Sequence, residues 1–270
     1  MDAVSLKIKT LCRAACTLQA TCQACFWCRN NQENLCESIM ATKVLGSYAE
    51  YLKVPERIVN LNVYAKPPAL SFAEAALIEP LACVAEGLRS VSVTPASRVL
   101  VIGPGAIGLL FVAALKAQAV QTVVLAGRNP ARLGAGSQLG AKTISLAELD
   151  GEAEALQPAG FDLVIECTGM VEVWERAPSL ARRGGTVILF GGPPSGSKAT
   201  FDTSRIHYDQ ITLISPFHFG TAAVRQAHDW LASGQIQGSL LISGERNLAD
   251  AEQVFTDLAE GRGIKYAFLP

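Results

Sequence analysis

A surplus of either charge is what this sequence most plainly lacks. Its 23 Lys and Arg nearly cancel its 24 Asp and Glu, leaving −1 at neutral pH. No nucleic-acid partner is expected, because a sequence-independent binder carries a basic surplus. Charged residues make up 17% of the chain and apolar ones 50%, too little charge for disorder and enough hydrocarbon for a core. The 23 glycines and 13 prolines keep no fixed period, which excludes collagen, and there is no internal repeat or low-complexity linker. The N-terminus lacks an apolar run before a small-residue cleavage site, so no signal peptide is expected and the expected compartment is cytoplasmic. The uncharged run from Val99 to Leu115 falls short of the roughly 20 residues that a membrane span needs. Gly103-Pro104-Gly105 would also break a helix near its start, so no membrane partner is expected. Histidine is scarce too, with His207, His218 and His228 the whole supply.

What is present reads as an α/β protein. From Arg98 onward short apolar strands alternate with helical segments: Val99–Ile102, Thr122–Leu125, Leu163–Glu166, Thr186–Phe190 and Ile211–Ile214. Uninterrupted, β-branched strands separated by helices indicate a parallel sheet covered on both faces. The alternation through 46–54 predicts a further strand. Ser71 with Glu74 three residues later predicts a capping box opening an apolar helix through Leu77. The tail reads as helices over 222–232 and 248–258, then a strand over 265–269.

The segment Val99 to Gly108 is a strand followed by G-x-G-x-x-G and then an apolar helix, the context in which that motif binds a dinucleotide. Gly103 permits the tight turn, Gly105 lets backbone approach a pyrophosphate, and Gly108 lets helix and strand pack closely. Ala106, Ile107 and Gly108 then open the helix whose free N–H groups face the phosphate. The alternative is a glycine-rich turn with no ligand. An acidic residue about 20 positions on would take the ribose 2′-OH of NAD, but the second strand ends Gly127-Arg128-Asn129. Gly127 leaves room there and Arg128 offers a fork suited to a 2′-phosphate, favouring NADP with NAD possible. Arg128 merely solvated is the plainer alternative.

Six of the eight cysteines fall within the first 36 residues, and in a chain without a secretion signal such clustering favours metal over disulfides. Cys22, Cys25, Cys28 and Cys36 supply four thiolates within one loop, enough for a closed tetrahedral structural zinc. An iron–sulfur cluster and disulfides remain the alternatives; the ferredoxin run also begins C-x2-C-x2-C but places its fourth Cys after three residues. Cys12 and Cys16 lie close enough to compete as ligands. Cys83 and Cys167, in apolar runs, read as ordinary buried thiols.

A four-cysteine lobe, then Glu79-Pro80, then this glycine turn resembles the zinc-dependent medium-chain alcohol dehydrogenases. The likeness runs from about Cys22 to Pro270 and includes Asn34-Leu35-Cys36, Glu166-Cys167-Thr168-Gly169, the run Gly184 to Gly192 and Gly263-Ile264-Lys265. Glu79-Pro80 is similar to the sorbitol, threonine and polyol dehydrogenase branch, where this Glu lies beside the catalytic zinc and can ligate it. The resemblance implies that Ile107 and Gly108 border the pyrophosphate and Arg132 reaches the adenosine end. It implies that Thr168, Phe190, Gly191, Gly192, Pro216, Phe217 and His218 line the nicotinamide end. It further implies Glu79 as the catalytic and second metal-binding residue. The family normally supplies its catalytic zinc from a Cys and a Gly-His-Glu motif upstream of the lobe, and neither is found here. The chain is therefore expected to lack the N-terminal part of the catalytic domain. Ala119 stands where a helix-ending Gly is usual, and Gly134 and Gly136 inside a helix cost about 1 kcal/mol each relative to Ala.

The implied fold is a doubly wound Rossmann sheet plus a partial GroES-like, β-rich catalytic domain with a structural zinc lobe. The implied domains are 1–81, 82–217 and a tail 218–270 returning to the first. The implied activity is hydride transfer between NADP(H) or NAD(H) and an alcohol or polyol, in a homodimer or homotetramer. Two other functions stay open: a non-catalytic NADP(H)-binding homologue keeping only the structural zinc, and a zinc-independent quinone or enone reductase.

Overall fold

Strands buried on both faces need helices on both sides, and that demand shapes the middle of the chain. The computed structural model describes residues 14–155 and 160–269. Its elements begin β1 (Ala14–Cys16), α1 (Phe26–Arg29), α2 (Glu56–Asn62), β2 (Val63–Ala65), α3 (Phe72–Ala75) and α4 (Ile78–Arg89). They continue with β3 (Arg98–Ile102), α5 (Ala106–Ala117), β4 (Thr122–Gly127), α6 (Pro130–Gln138), β5 (Lys142–Ser145), α7 (Leu149–Ala155), β6 (Phe161–Glu166) and α8 (Val171–Leu180). The last are β7 (Ala181–Leu189), α9 (Thr203–Tyr208), β8 (Thr212–Ile214), α10 (Thr221–Ala232), β9 (Gly244–Asn247), α11 (Ala251–Ala259) and β10 (Tyr266–Leu269). The chain divides into two units, Met1–Glu86 with Phe217–Pro270, and Gly87–Pro216. Among the described residues no helix is long and apolar enough to cross a membrane.

The second unit is a six-stranded, all-parallel sheet in the order β5-β4-β3-β6-β7-β8. The order reverses between β3 and β6, so a crevice opens outside the carboxyl ends of those strands. Side chains alternate across the sheet. Leu100, Ile102, Val124 and Val164 join Ala177 and Leu180 of α8 in one buried cluster. The opposite face presents Leu125 to α6, where a side chain on Gly136 would meet its Cδ2. Among its described residues the first unit holds two small sheets, β1 antiparallel to β2 and β9 parallel to β10.

The Rossmann-type α/β class expected from the strand rhythm is the observed one. Strand β7 starts at Ala181 rather than Thr186 and stops before Phe190. Strand β5, a short edge strand with one buried residue, Ile144, carried too little apolar signal to be foreseen. The capping box is present: the Ser71 hydroxyl accepts from Glu74 N–H at 3.1 Å, and Glu74 Oε2 accepts from Ser71 N–H at 3.1 Å. Its helix ends at Ala75, not Leu77; Pro80 has no N–H and its ring crowds the carbonyl four residues back, so the helix restarts at Ile78. Residues 46–54 are bends and irregular chain, not a strand. Alternation alone cannot make a strand without a ladder partner, and none of the described strands pairs with this stretch.

Helix α5 ends on Ala119 at φ 61°, the left-handed position a glycine usually takes. The Lys116 ammonium closes that end by donating to the Val120 and Gln121 carbonyls at 3.1 and 2.9 Å. The two glycines of α6 differ. A Cβ on Gly134 would meet nothing within 4 Å, whereas one on Gly136 would sit 2.3 Å from Leu125 Cδ2. Gly134→Ala should therefore stabilise the protein by about 0.5–1 kcal/mol, and Gly136→Ala should destabilise it despite the same gain in propensity. Thermal unfolding of the two variants checks this; equal stabilisation by both would contradict it.

Candidate functional site

At the crevice, β3 turns into α5 through three glycines held to different duties. Gly103 has φ 107°, and a Cβ there would lie 2.9 Å from Thr168 Cγ2. A Cβ on Gly108 would fall 1.9 Å from the Gly103 carbonyl oxygen, so only hydrogen lets the helix cross the turn. A Cβ on Gly105 would meet nothing within 4 Å. Gly105 is the N-cap of α5 and offers no side-chain cap. The first N–H groups of a helix have no intrahelical partner, and beside half-buried Ala106 and Ile107 they form an anion-ready end. Fold packing demands two of the glycines; the third borders open space, as a pyrophosphate requires.

Gly127 needs a correction. It does not leave room for a ligand: a Cβ there would lie 2.3 Å from Pro104 Cδ, so the absent side chain seats the proline ring of the glycine turn. Arg128 beyond it is exposed. Asn129 caps α6, its Oδ1 accepting from Arg132 N–H at 3.1 Å, and places Arg132 half-buried on the first turn.

The loops after β6 and β7 meet beside the glycine turn. Glu166, fully buried at the end of β6, accepts from the Thr168 N–H and hydroxyl and from Gly169 N–H at 3.1 Å. Its carbonyl accepts from Phe190 and Gly191 N–H, both at 3.0 Å. A Cβ on Gly191 would lie 2.2 Å from Gly169 N, so the two backbones touch. Phe190 turns its ring edge-on to Phe111 with centroids 4.9 Å apart, a packing role, and Gly192 is exposed. Pro216 closes this unit, while Phe217 and His218 belong to the other. The Phe217 ring stands edge-on to His218, whose Nδ1 lies 3.3 Å from Gln19 Nε2. Burial, then the nearby Lys43 charge, lower the His218 pKa.

In the first unit the Sγ atoms of Cys22, Cys25, Cys28 and Cys36 all lie within 4.8 Å of one another. The Cys22–Cys28 and Cys25–Cys28 separations are 3.9 and 3.6 Å, near the edge of about 3.8 Å that a tetrahedron with 2.3 Å Zn–S bonds requires. All four are free thiols, too far apart for a bond of about 2.05 Å and too close to wrap a cubane cluster. The donor set fits one zinc ion. Amide N–H groups of Ala24 and Cys25 point at Cys22 Sγ at 3.4 and 3.2 Å, and that of Cys22 at Cys36 Sγ at 3.2 Å. Burial alone would raise the Cys36 pKa, but hydrogen bonds from the Ser38 hydroxyl and the Cys22 N–H bring it down to about 6. Ser38 is in turn held by Arg57 Nη2 at 3.0 Å, a support the sequence did not announce. Cys16 lies in β1 outside the cluster, and Cys12 lies outside the described residues. Cys83 and Cys167 are half-buried.

Glu79 sits on the first turn of α4 in a cleft of about 700 Å³ that also presents Cys16, Gln19, Lys43, His218 and Lys265. Burial raises the Glu79 pKa and the Lys265 charge opposes the rise. Cys83 Sγ lies 4.0 Å from its Oε1. Among the described residues, the group whose ligand atoms lie within metal-binding reach of one another is the four-cysteine one.

A glycine turn thus sits at the switch point of a doubly wound sheet, in a chain that also carries a four-cysteine cluster, the arrangement from which a dinucleotide-binding fold is built. The family model described as zinc-binding dehydrogenase matches residues 106–233 of the chain. The chain is 28% identical over 270 residues to D-arabinitol dehydrogenase 1 of Uromyces fabae, covering 96% of this chain and 75% of that protein. It is 36% identical over 199 residues to D-altritol 5-dehydrogenase of Agrobacterium fabrum, covering 72% and 57%. Among solved structures, a Sinorhizobium meliloti 1021 protein bound to NADP and described as a zinc-binding dehydrogenase superposes with TM-score 0.85 at 28% identity, covering 95% of this chain and 76% of that one.

The purified protein should hold one zinc per chain. Cys36→Ser should lose it and melt earlier, and Arg57→Ala should keep it with affinity weakened about 10- to 100-fold. Elemental analysis with chelator competition checks both; a Cys36→Ser protein with undiminished zinc would refute the assignment.

Proposed function

We propose that this chain is an oxidoreductase that transfers hydride between a nicotinamide dinucleotide and the CH–OH group of an alcohol or polyol. The observation that carries the reading is the glycine trio, with Gly103 and Gly108 closed by packing and Gly105 facing open space. The first turn of α5, through Ala106, Ile107 and Gly108, binds the pyrophosphate, and Gly127 seats the turn through Pro104. NADP is the preferred cofactor: no carboxylate ends β4, Asn129 is committed to capping α6, and exposed Arg128 is left to meet a 2′-phosphate, with Arg132 nearby in sequence. Thr168, Gly191, Gly192, Pro216, Phe217 and His218 serve the nicotinamide end, with Phe190 bracing it from behind. The dinucleotide, when bound, supplies the hydride acceptor.

Polyol relatives suggest a polyol substrate for the cleft around Glu79, whose carboxyl, exposed on the cleft wall, is placed to meet a substrate hydroxyl. No step is routed through a catalytic zinc. A second reading is cofactor binding without turnover, which the same glycine turn would support. We further infer that residues 1–81 and 218–270 form a GroES-like domain around the zinc lobe. The parallel sheet ends on short strand β8, suited to edge-to-edge pairing in a homodimer or homotetramer, and the compartment is the cytoplasm.

Gly105→Val should fold normally, since the Cβ it adds meets nothing within 4 Å, yet bind NADPH at least about tenfold more weakly because the pyrophosphate loses its approach. Arg128→Ala should weaken NADPH about tenfold and leave NADH unchanged. Binding titrations beside a polyol-oxidation assay read both. Equal NADPH affinity in Gly105→Val would overturn the cofactor reading, and binding without turnover would select the second reading.

A further inference from the structure

Glu166 is a buried acid that the cofactor reading leaves without a duty. It has no exposed surface, and the hydrogen-bond partners of its carboxylate are all donors: the Thr168 N–H and hydroxyl, and Gly169 N–H at 3.1 Å from Oε1 and 3.3 Å from Oε2. Acceptor-only bonding is the pattern of a carboxylate rather than a carboxylic acid. The charge lies where the loops after β3, β6 and β7 converge. A Cβ on Gly191 would be 2.8 Å from Glu166 Oε2, and Thr168 Cγ2 fills the space beside Gly103. The Thr168 hydroxyl is also fully committed, donating to Glu166 and accepting from Met170 N–H at 3.1 Å. Thr168 therefore has no hydroxyl proton to offer a ligand, and what it brings to the crevice is the carboxylate behind it. The field of that charge already reaches its neighbour, raising the Cys167 pKa after burial has done most of the work.

We propose that Glu166 sets the preference between the two redox forms of the cofactor: its carboxylate fixes the Thr168–Gly169 loop and, through it, favours the cationic oxidised nicotinamide over the neutral reduced ring. The proposal rests on the cofactor reading above. Hydride transfer removes one positive charge from the ring, so a fixed anion behind the loop stabilises the oxidised form selectively and makes the bound ring a weaker hydride acceptor. Screened through an effective dielectric of about 20, a unit charge behind the loop gives a preference of about 3- to 30-fold.

The experiment is a calorimetric and fluorescence titration of the whole chain with NADP+ and with NADPH, for wild type, Glu166→Gln and Glu166→Asp. In Glu166→Gln the ratio of the oxidised-form Kd to the reduced-form Kd should rise about 3- to 30-fold. In Glu166→Asp, which keeps the charge and shortens its reach, both affinities should fall together and the ratio should hold within about twofold. A loop-packing role alone would move both forms equally in both variants, and an unchanged ratio in Glu166→Gln overturns the proposal. If Glu166→Gln does not fold, Thr168→Val takes its place. Losing the hydroxyl donor leaves the carboxylate less screened, so the ratio should fall below wild type, and an unchanged or raised ratio overturns the proposal. Wild-type protein that binds neither form overturns the cofactor reading itself, whereas wild-type binding with an unmoved ratio overturns this inference alone.

Discussion

The Gly103 carbonyl oxygen lies where a side chain on residue 108 would begin, 1.9 Å from the Cβ that is not there. That approach of backbone to backbone governs the rest of the crevice. It brings the amino end of α5 hard against the end of β3, so the helix's free N–H groups face out of the sheet. The same device recurs next door, where Gly191 and Gly169 let the loops after β6 and β7 touch. Two contacts between bare backbones thus bring three strand ends together, with one buried residue, Glu166, joining the last two loops: its carboxylate accepts from Thr168 and Gly169 and its backbone carbonyl from Phe190 and Gly191. Unpaired, such a charge would be strongly destabilising in the interior; here Thr168 and Gly169 of the loop that follows it supply the donors that make it tolerable.

The cysteine lobe is held together differently. Helix α1 and the turn at Glu33–Leu35 bury none of their own residues, so apolar packing cannot account for their shape. Four sulfurs within 4.8 Å of one another can, once a metal joins them. Arg57 adds order from outside, donating to the Thr21 carbonyl at 2.8 Å and to Ser38 beside Cys36. Glu33 ties the lobe to α10 by accepting from Thr221 N–H at 2.7 Å.

What the sequence made legible was whatever is local. The strand, the glycine spacing and the following helix are contiguous, so Gly103, Gly105 and Gly108 could be read with their separate duties. The four cysteines share one loop, and their spacing reported their proximity. Non-local causes stayed hidden. Gly127 looked like space for a phosphate because Pro104, which fills that space, is far off in the chain. Gly134 and Gly136 look alike as helix residues, yet only Gly136 faces Leu125. The alternating stretch at 46–54 carried a strand pattern, but pairing is a property of two segments and a pattern describes one. Glu166 was visible as an acid ending an apolar strand, and its meaning depended on loops that the sequence does not show side by side.

The central claim is that the open space beside Gly105 is a pyrophosphate cradle made by the amino end of α5. Amide hydrogen exchange with and without NADPH tests it most directly. The account predicts slowed exchange in 104–109, at the helix start, with smaller slowing in 167–170 and 190–192. NADPH that binds while leaving 104–109 unprotected would place the cofactor elsewhere and contradict it.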